Sequence, residues 1–169
     1  MATQNRTYRR AFTVLELLLG LAITAMLLVA VAVALNASAV NYTTNDDIFK
    51  AVNNARQALF RITAQLRTAT AVDPNSPANT CSLITADGRD ITYYYNSTDD
   101  KLYLVTNDDA TDPDYLLCDH VTAMSFTKDT ATADGLTFVK SVRISMTVVV
   151  GRAERTLCAA AAVRRNLQQ

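Results

Sequence analysis

Glu16 is the residue whose type and position first suggest chemistry. Arg6, Arg9 and Arg10 precede it, and the chain after it is uncharged from Leu17 to Leu35. A charge at the edge of a membrane-length apolar helix costs free energy unless something pairs with it, so it marks a functional site by default. Two outcomes are open for the carboxylate: pairing with a cation, or snorkelling to water at a membrane interface.

The other reactive side chains offer less. His120 is the only histidine. It adjoins Asp119 and follows Cys118 closely, but neighbours along a strand point to opposite faces. With no second histidine and no Gly-rich phosphate loop, we expect no catalytic residue, no metal site and no cofactor. The run Asn107-Asp108-Asp109-Ala110-Thr111-Asp112-Pro113-Asp114 is acidic. Calcium needs several converging oxygens, and the glycine of an EF-hand turn is missing, so a solvated loop is expected.

Cys81, Cys118 and Cys158 all follow the apolar run. An oxidising compartment permits one disulfide between two of them and leaves one thiol over. The spacing does not choose the pair. Such a bridge would contribute roughly 3–4 kcal/mol through chain entropy. Three buried free thiols are the alternative.

Two elements must position Glu16. Leu17–Leu35 is a run of 19 residues with Thr24 its only polar side chain. At about 1.5 Å per residue it reaches roughly 28 Å, the hydrocarbon thickness of a bilayer. Basic residues lie before it, and Asp46 and Asp47 are the first charges after it. That asymmetry predicts a cytoplasmic N-terminus and an extracytoplasmic remainder. A second helical pattern follows, in which Ile48, Val52, Ala55, Leu59, Ile62, Leu66 and Ala69 form one apolar stripe. Neither Pro nor Gly falls between Leu21 and Val72. The pattern predicts one long helix, roughly Phe12 to Ala71, apolar all round in its first half and amphipathic in its second. Two helices hinged near Asn41–Asn45 are the alternative. Asp73-Pro74 ends the helix in either case.

The composition agrees with an anchored domain. The chain has 169 residues, 16 basic and 16 acidic. Beyond residue 11 the balance is 13 basic to 16 acidic, a net of −3. That leaves no electrostatic case for nucleic acid. From Pro77 the period changes to two. Ser82–Thr85 and Ile91–Tyr95 flank the turn dipeptide Asp87-Gly88, and Lys101–Thr106 suggests a second hairpin. Leu116–Thr127 reads as one bent strand or two short ones. Val142, Ile144, Met146, Val148 and Val150 alternate with other residues along the clearest strand, and Gly151–Glu154 turns it back. Thr156–Arg165 has helical propensity, but its place after a turn predicts a strand. The fold class is therefore α+β, a long helix whose amphipathic half lies on an antiparallel β-sheet. The divisions are 1–11, 12–40, 41–72 and 73–169.

The stretch Arg9-Arg10-Ala11-Phe12-Thr13-Val14-Leu15-Glu16-Leu17-Leu18 resembles the N-terminus of type IV pilins and type II secretion pseudopilins. That family has a short basic leader, a small residue before the cut, Phe at the new N-terminus and Glu as the fifth mature residue. The resemblance implies cleavage by a leader peptidase between Ala11 and Phe12, then methylation of Phe12. Ala11 stands where the family usually has Gly. It also implies a role for Glu16. The freed α-amino group of Phe12 has a reference pKa near 7.7–8.0 and is mostly positive at pH 7. The Glu of one subunit would meet the amino terminus of a neighbour as helices pack into a filament. Ala22, Ala25, Ala30, Ala32, Ala34, Ala37 and Ala39 would permit close helix packing. The segments Leu59–Ala69, Leu116–Phe126 and Val163–Asn166 are similar to minor subunits, the J-type pseudopilins and W-type minor pilins. The implied partners are other pilin or pseudopilin subunits, the leader peptidase and methyltransferase, and the bacterial inner membrane. The implied location is that membrane and then a periplasmic filament.

A rival pattern overlaps. Arg9-Arg10-Ala11-Phe12 fits a twin-arginine export signal and Ala37-Ser38-Ala39 a signal peptidase site. The product would be an exported domain starting at Val40. Against it, the apolar run is long for a signal core, opens on Glu16, and continues without a linker into the amphipathic pattern.

Overall fold

The structure, a computed structural model, describes residues 12–109, 111–133 and 135–164. The leader, with Ala11, lies outside them. One helix, α1 (Val14–Thr68), is followed by eight strands. No break occurs at residues 41–45, where a hinge was the alternative. Compactness divides the chain into two units, Met1–Thr43 and Thr44–Gln169.

In the first unit every described residue is exposed. Thr24, the one hydroxyl in the apolar run, donates to the carbonyls of Gly20 and Leu21, both at 2.9 Å. This back-bonding leaves no polar group of the run turned outward without a partner. By length and composition α1 is a candidate membrane span.

In the second unit, α1 buries Ala51, Ala55, Ala58, Leu59, Ile62 and Leu66. The predicted stripe is buried from Ala55 through Ala69, while Ile48 and Val52 are half-buried. Ala51 and Ala58, both buried, widen it. The helix ends at Thr68 rather than Ala71. The reason is a short strand, β1 (Ala71–Val72), which pairs with β2 (Thr80–Ile84). The amide of Thr70 donates to the Ile84 carbonyl at 2.8 Å, and that of Asp73 to Ser82 at 3.0 Å. Sheet pairing there replaces the last helical bonds.

The strands form two antiparallel sheets where one was expected. The first has the order β1-β2-β3-β4-β5, with β3 Asp90–Asn96, β4 Lys101–Thr106 and β5 Tyr115–Cys118. The second has the order β6-β7-β8, with β6 Val121–Ala133, β7 Leu136–Val150 and β8 Ala153–Ala162. The chain passes between them at Asp119-His120. His120 has φ 58°, a left-handed conformation that ends β5 and redirects the chain. The new direction is fixed by two amide bonds: Val121 donates to Asp100 at 2.9 Å, and Val149 donates to His120 at 3.0 Å. Leu116–Thr127 is thus two strands in different sheets. Ala153–Ala162 is a strand, as its position after a turn predicts, despite four consecutive alanines.

One core joins the helix and both sheets of the second unit. It includes Ile62, Leu66, Tyr93, Leu102, Val121, Phe126, Ile144 and Val148. Lys128 fastens the 76–80 loop to β6: its Nζ donates to the carbonyls of Ser76 (2.6 Å), Thr80 (3.2 Å) and Pro77 (3.4 Å). Burial pushes its pKa down.

Candidate functional site

The first turn of α1 builds the environment of Glu16. Thr13 immediately precedes the helix, and its Oγ1 accepts the Glu16 amide at 3.2 Å. In return the Thr13 amide and hydroxyl donate to Glu16 Oε2, at 3.5 and 3.4 Å. This is a capping box, in which the N-cap hydroxyl and the third-residue carboxylate satisfy each other's backbone donors. The helix macrodipole also favours a negative charge in the first turn. Glu16 therefore has a role within its own chain that the sequence reading did not assign. The signal was present, as Thr13-x-x-Glu16 ahead of an apolar run. Phe12 is exposed beside it. Its amide would become the free amino group if the chain were cut at Ala11.

The structure brings no two of the predicted cysteines together: Cys81, Cys118 and Cys158 are free thiols. Cys81 lies on β2 and Cys118 on β5 of one sheet. Three strand spacings of about 4.8 Å separate those strands, far beyond the Cα span of a disulfide. Burial pushes both thiols up to about 11. Cys158 lies on the exposed side of β8 in the other sheet. Of the two outcomes left open, a disulfide or three free thiols, the structure has the free thiols, with Cys81 and Cys118 buried and Cys158 exposed.

Three of the four aspartates in the acidic run accept hydrogen bonds locally. Asp109 accepts the Thr111 amide (2.9 Å) and hydroxyl (2.6 Å), Asp108 accepts the Asp90 amide (2.8 Å), and Asp112 accepts the Tyr115 hydroxyl (2.7 Å). Among the described residues no three metal-ligating side chains converge. His120 and Asp119 do meet, at 3.2 Å, because the left-handed turn places them side by side rather than on opposite faces. The side chains of both reach solvent, and the Cys118 thiol next to them is buried and donates to the Asp119 carbonyl at 3.4 Å.

The second unit also holds a recess of about 360 Å³ between α1 and the first sheet, which no pattern in the sequence signals. Arg61, Gln65, Asp87, Arg89, Asp112 and Tyr115 line it. Its polar groups are largely committed to one another. Arg89 Nε meets Asp87 at 3.2 Å, and Tyr115 is held by Asp112. Gln65 accepts the hydroxyl of Tyr93. Burial pushes Tyr93 up to about 12, with the Arg61 guanidinium opposing the shift. The recess thus works as a polar seam between helix and sheet.

Two aromatic side chains of α1 stand apart from the core. Phe49 is 67% exposed and Phe60 76%. Eleven residues is close to three helical turns, so both lie along one side of the helix. That side is turned away from the buried stripe. The described residues hold a long helix that exposes apolar surface on its first half and on the outer side of its second. No family model, curated protein or solved structure matches this chain.

Proposed function

We propose that the chain is a minor pilin-like structural subunit of a type II secretion pseudopilus or a type IV pilus. In this reading the leader is cut between Ala11 and Phe12, Phe12 is methylated, and the subunit waits in the bacterial inner membrane. It then enters a periplasmic filament, at or near the tip, with Glu16 facing the amino terminus of a neighbouring subunit. Leader peptidase and the neighbouring subunits are its partners.

The observation that carries the reading is the two-sided use of α1. One half buries its stripe under two sheets, and the other exposes Leu15, Leu18, Leu28 and Leu35 with no cover in its own chain. So much apolar surface needs lipid or other helices around it. The first-turn cap supports the reading too, because it makes Thr13 a stable helix start just after the proposed cut. Phe49 and Phe60 add apolar surface on the side of the helix that a neighbour could reach. An exported domain cut after Ala39 is less favoured, since that cut would fall inside α1.

Mass spectrometry of the mature N-terminus tests the proposal. Methylated Phe12 is expected. A start at Val40, or an intact leader in the membrane-inserted chain, would overturn it. Glu16→Ala is expected to leave membrane insertion unchanged and to lower crosslinking to neighbouring subunits. Unchanged crosslinking would remove the assembly role of Glu16.

A further inference from the structure

Sheets end in edges, and an edge strand offers unpaired backbone groups to another chain unless something blunts it. The two sheets of the described residues have four edges, and three are blunted. β1 is two residues long. β5 is four residues long, and its pairing to β4 contains a register shift between Leu102 and Tyr103. β6 has register shifts at Val121/Ala123 and Asp129/Thr130, and the Phe126 amide is already taken by the Ala78 carbonyl at 2.7 Å. The fourth edge, β8, runs ten residues with no register shift. From Thr156 to Val163 it carries neither charge nor proline.

The direction of its free groups follows from one bond. The Val163 amide donates to the Lys140 carbonyl of the β7 segment at 2.9 Å. In an antiparallel ladder, alternate residues turn both backbone groups toward the partner and the others turn both away. The register Ser141↔Ala162 through Val150↔Ala153 is unbroken. Thr156, Cys158, Ala160 and Ala162 therefore present their amides and carbonyls to the open edge, and Glu154 its amide, while the Glu154 carbonyl accepts the Arg155 guanidinium at 2.8 Å.

We propose that β8 is an interaction surface for a second copy of this chain, the two β8 strands pairing antiparallel about a twofold axis at Ala159. The strand is complementary to itself in that register. Glu154 of one copy faces Arg164 of the other, twice by symmetry. Thr156 faces Ala162, and Cys158 faces Ala160. Glu154, Arg164 and Cys158 are exposed in the single chain. The side chains at the centre are small, so the backbones can approach to ladder distance. Directly opposite pairs of unlike charge favour a register, and like charges oppose it. This surface is independent of the pilin-like reading. It would exist on an exported domain as well.

The test uses the full-length chain in detergent micelles and a short bismaleimide at pH 7. In the proposed pair the two Cys158 residues are diagonal neighbours, about 7–8 Å apart. Cys81 and Cys118 are buried. The expected result is a dimer crosslinked through Cys158 and absent in Cys158→Ser. Ala160→Pro removes a donor that faces the open edge and none that bonds β7, and is expected to lower the crosslinked fraction at least tenfold. Ala160→Lys, which places a charge at the same edge, gives the same expected loss without a backbone constraint. Glu154→Arg and Arg164→Glu should each lose the dimer alone and restore it when co-expressed, since only the mixed pair sets opposite charges face to face. A chain without Cys158 crosslinking, or crosslinking indifferent to these four substitutions, overturns the proposal. Association through α1 alone would give that indifference.

Discussion

The two halves of α1 share one backbone geometry but differ in what surrounds them. Residues 14–43 are exposed on every side, whereas residues 51–66 bury a stripe under two sheets. The lesson is that helix formation and helix burial are separate properties of a sequence. The first half is held by local bonds and exposes its apolar side chains. The second is held by tertiary contacts that its own chain supplies.

The sharpest way to break the comparison is to delete the same volume from each half. Ile62 is fully buried, and Ile62→Ala should cost about 2–5 kcal/mol through lost burial and a residual cavity. Leu28→Ala, in the exposed half, should change the stability of the second unit by less than about 0.5 kcal/mol. Urea denaturation followed by tyrosine near-ultraviolet circular dichroism reads the difference. Equal losses would mean that the first half supports the core.

Alkaline pH separates the halves by charge. Between Leu17 and Asn41 no side chain titrates. In the second unit, Cys81 and Cys118 are pushed from 9.0 up to about 11, and Tyr93 from 10.0 up to about 12. Each group holds its proton more tightly folded than unfolded, so the folded state binds more protons across that window. Stability from these groups is complete below about pH 9 and is lost as pH rises toward 12. The loss for Cys81 alone is on the order of 2 kcal/mol. The urea midpoint should fall between pH 8.5 and 10.5, while the helicity of the first half in micelles stays constant. Cys81→Ala should flatten the early part of that fall, and an unchanged profile would show that burial of the thiol does not govern it.

A smaller effect concerns how the sheets are tied to the helix-bearing layer. Lys128→Met keeps the length of the side chain but leaves three carbonyls of the 76–80 loop without their shared donor. A loss of about 1–3 kcal/mol is expected, with faster amide exchange in that loop and none in α1 before residue 44. Exchange unchanged at Thr80 would show that the ammonium is not what fixes the loop.

Legibility in the sequence follows the same division. The apolar run and the buried stripe were readable because each imposes a period on many residues. Ala51 and Ala58 were not, since alanine adds little to a hydropathy stripe even where it is buried. The clear strand at Val142–Val150 was readable by alternation. Its extension back to Leu136, and the matching half of β6 to Ala133, were not, because Thr- and charge-rich residues there alternate too weakly. The dipeptide Asp134-Gly135 was the available sign of that hairpin. The split into two sheets depends on the left-handed turn at His120, a single residue with no pattern around it. For the candidate site, the placement of the Glu16 charge against an apolar run was legible. Its bond to Thr13 was legible only as a four-residue cap, which the charge argument drew attention away from.

That cap gives the smallest predicted effect and the finest test of the first half. Glu16 has two candidate jobs: closing the capping box, and presenting a negative charge to a neighbouring amino terminus. A glutamine at the third helical position still accepts the Thr13 amide, so Glu16→Gln removes the charge and keeps the box. Thr13→Ala keeps the charge and removes the hydroxyl, at a cost of about 1 kcal/mol to the helix start. If neighbours read the charge, Glu16→Gln should abolish crosslinking to them while amide exchange at residues 14–17 stays as in the parent. Thr13→Ala should then speed that exchange several-fold and leave crosslinking nearly intact. The reverse pattern, normal assembly of Glu16→Gln and failed assembly of Thr13→Ala, would mean that the carboxylate serves the helix start and that neighbours recognise the first turn by its shape.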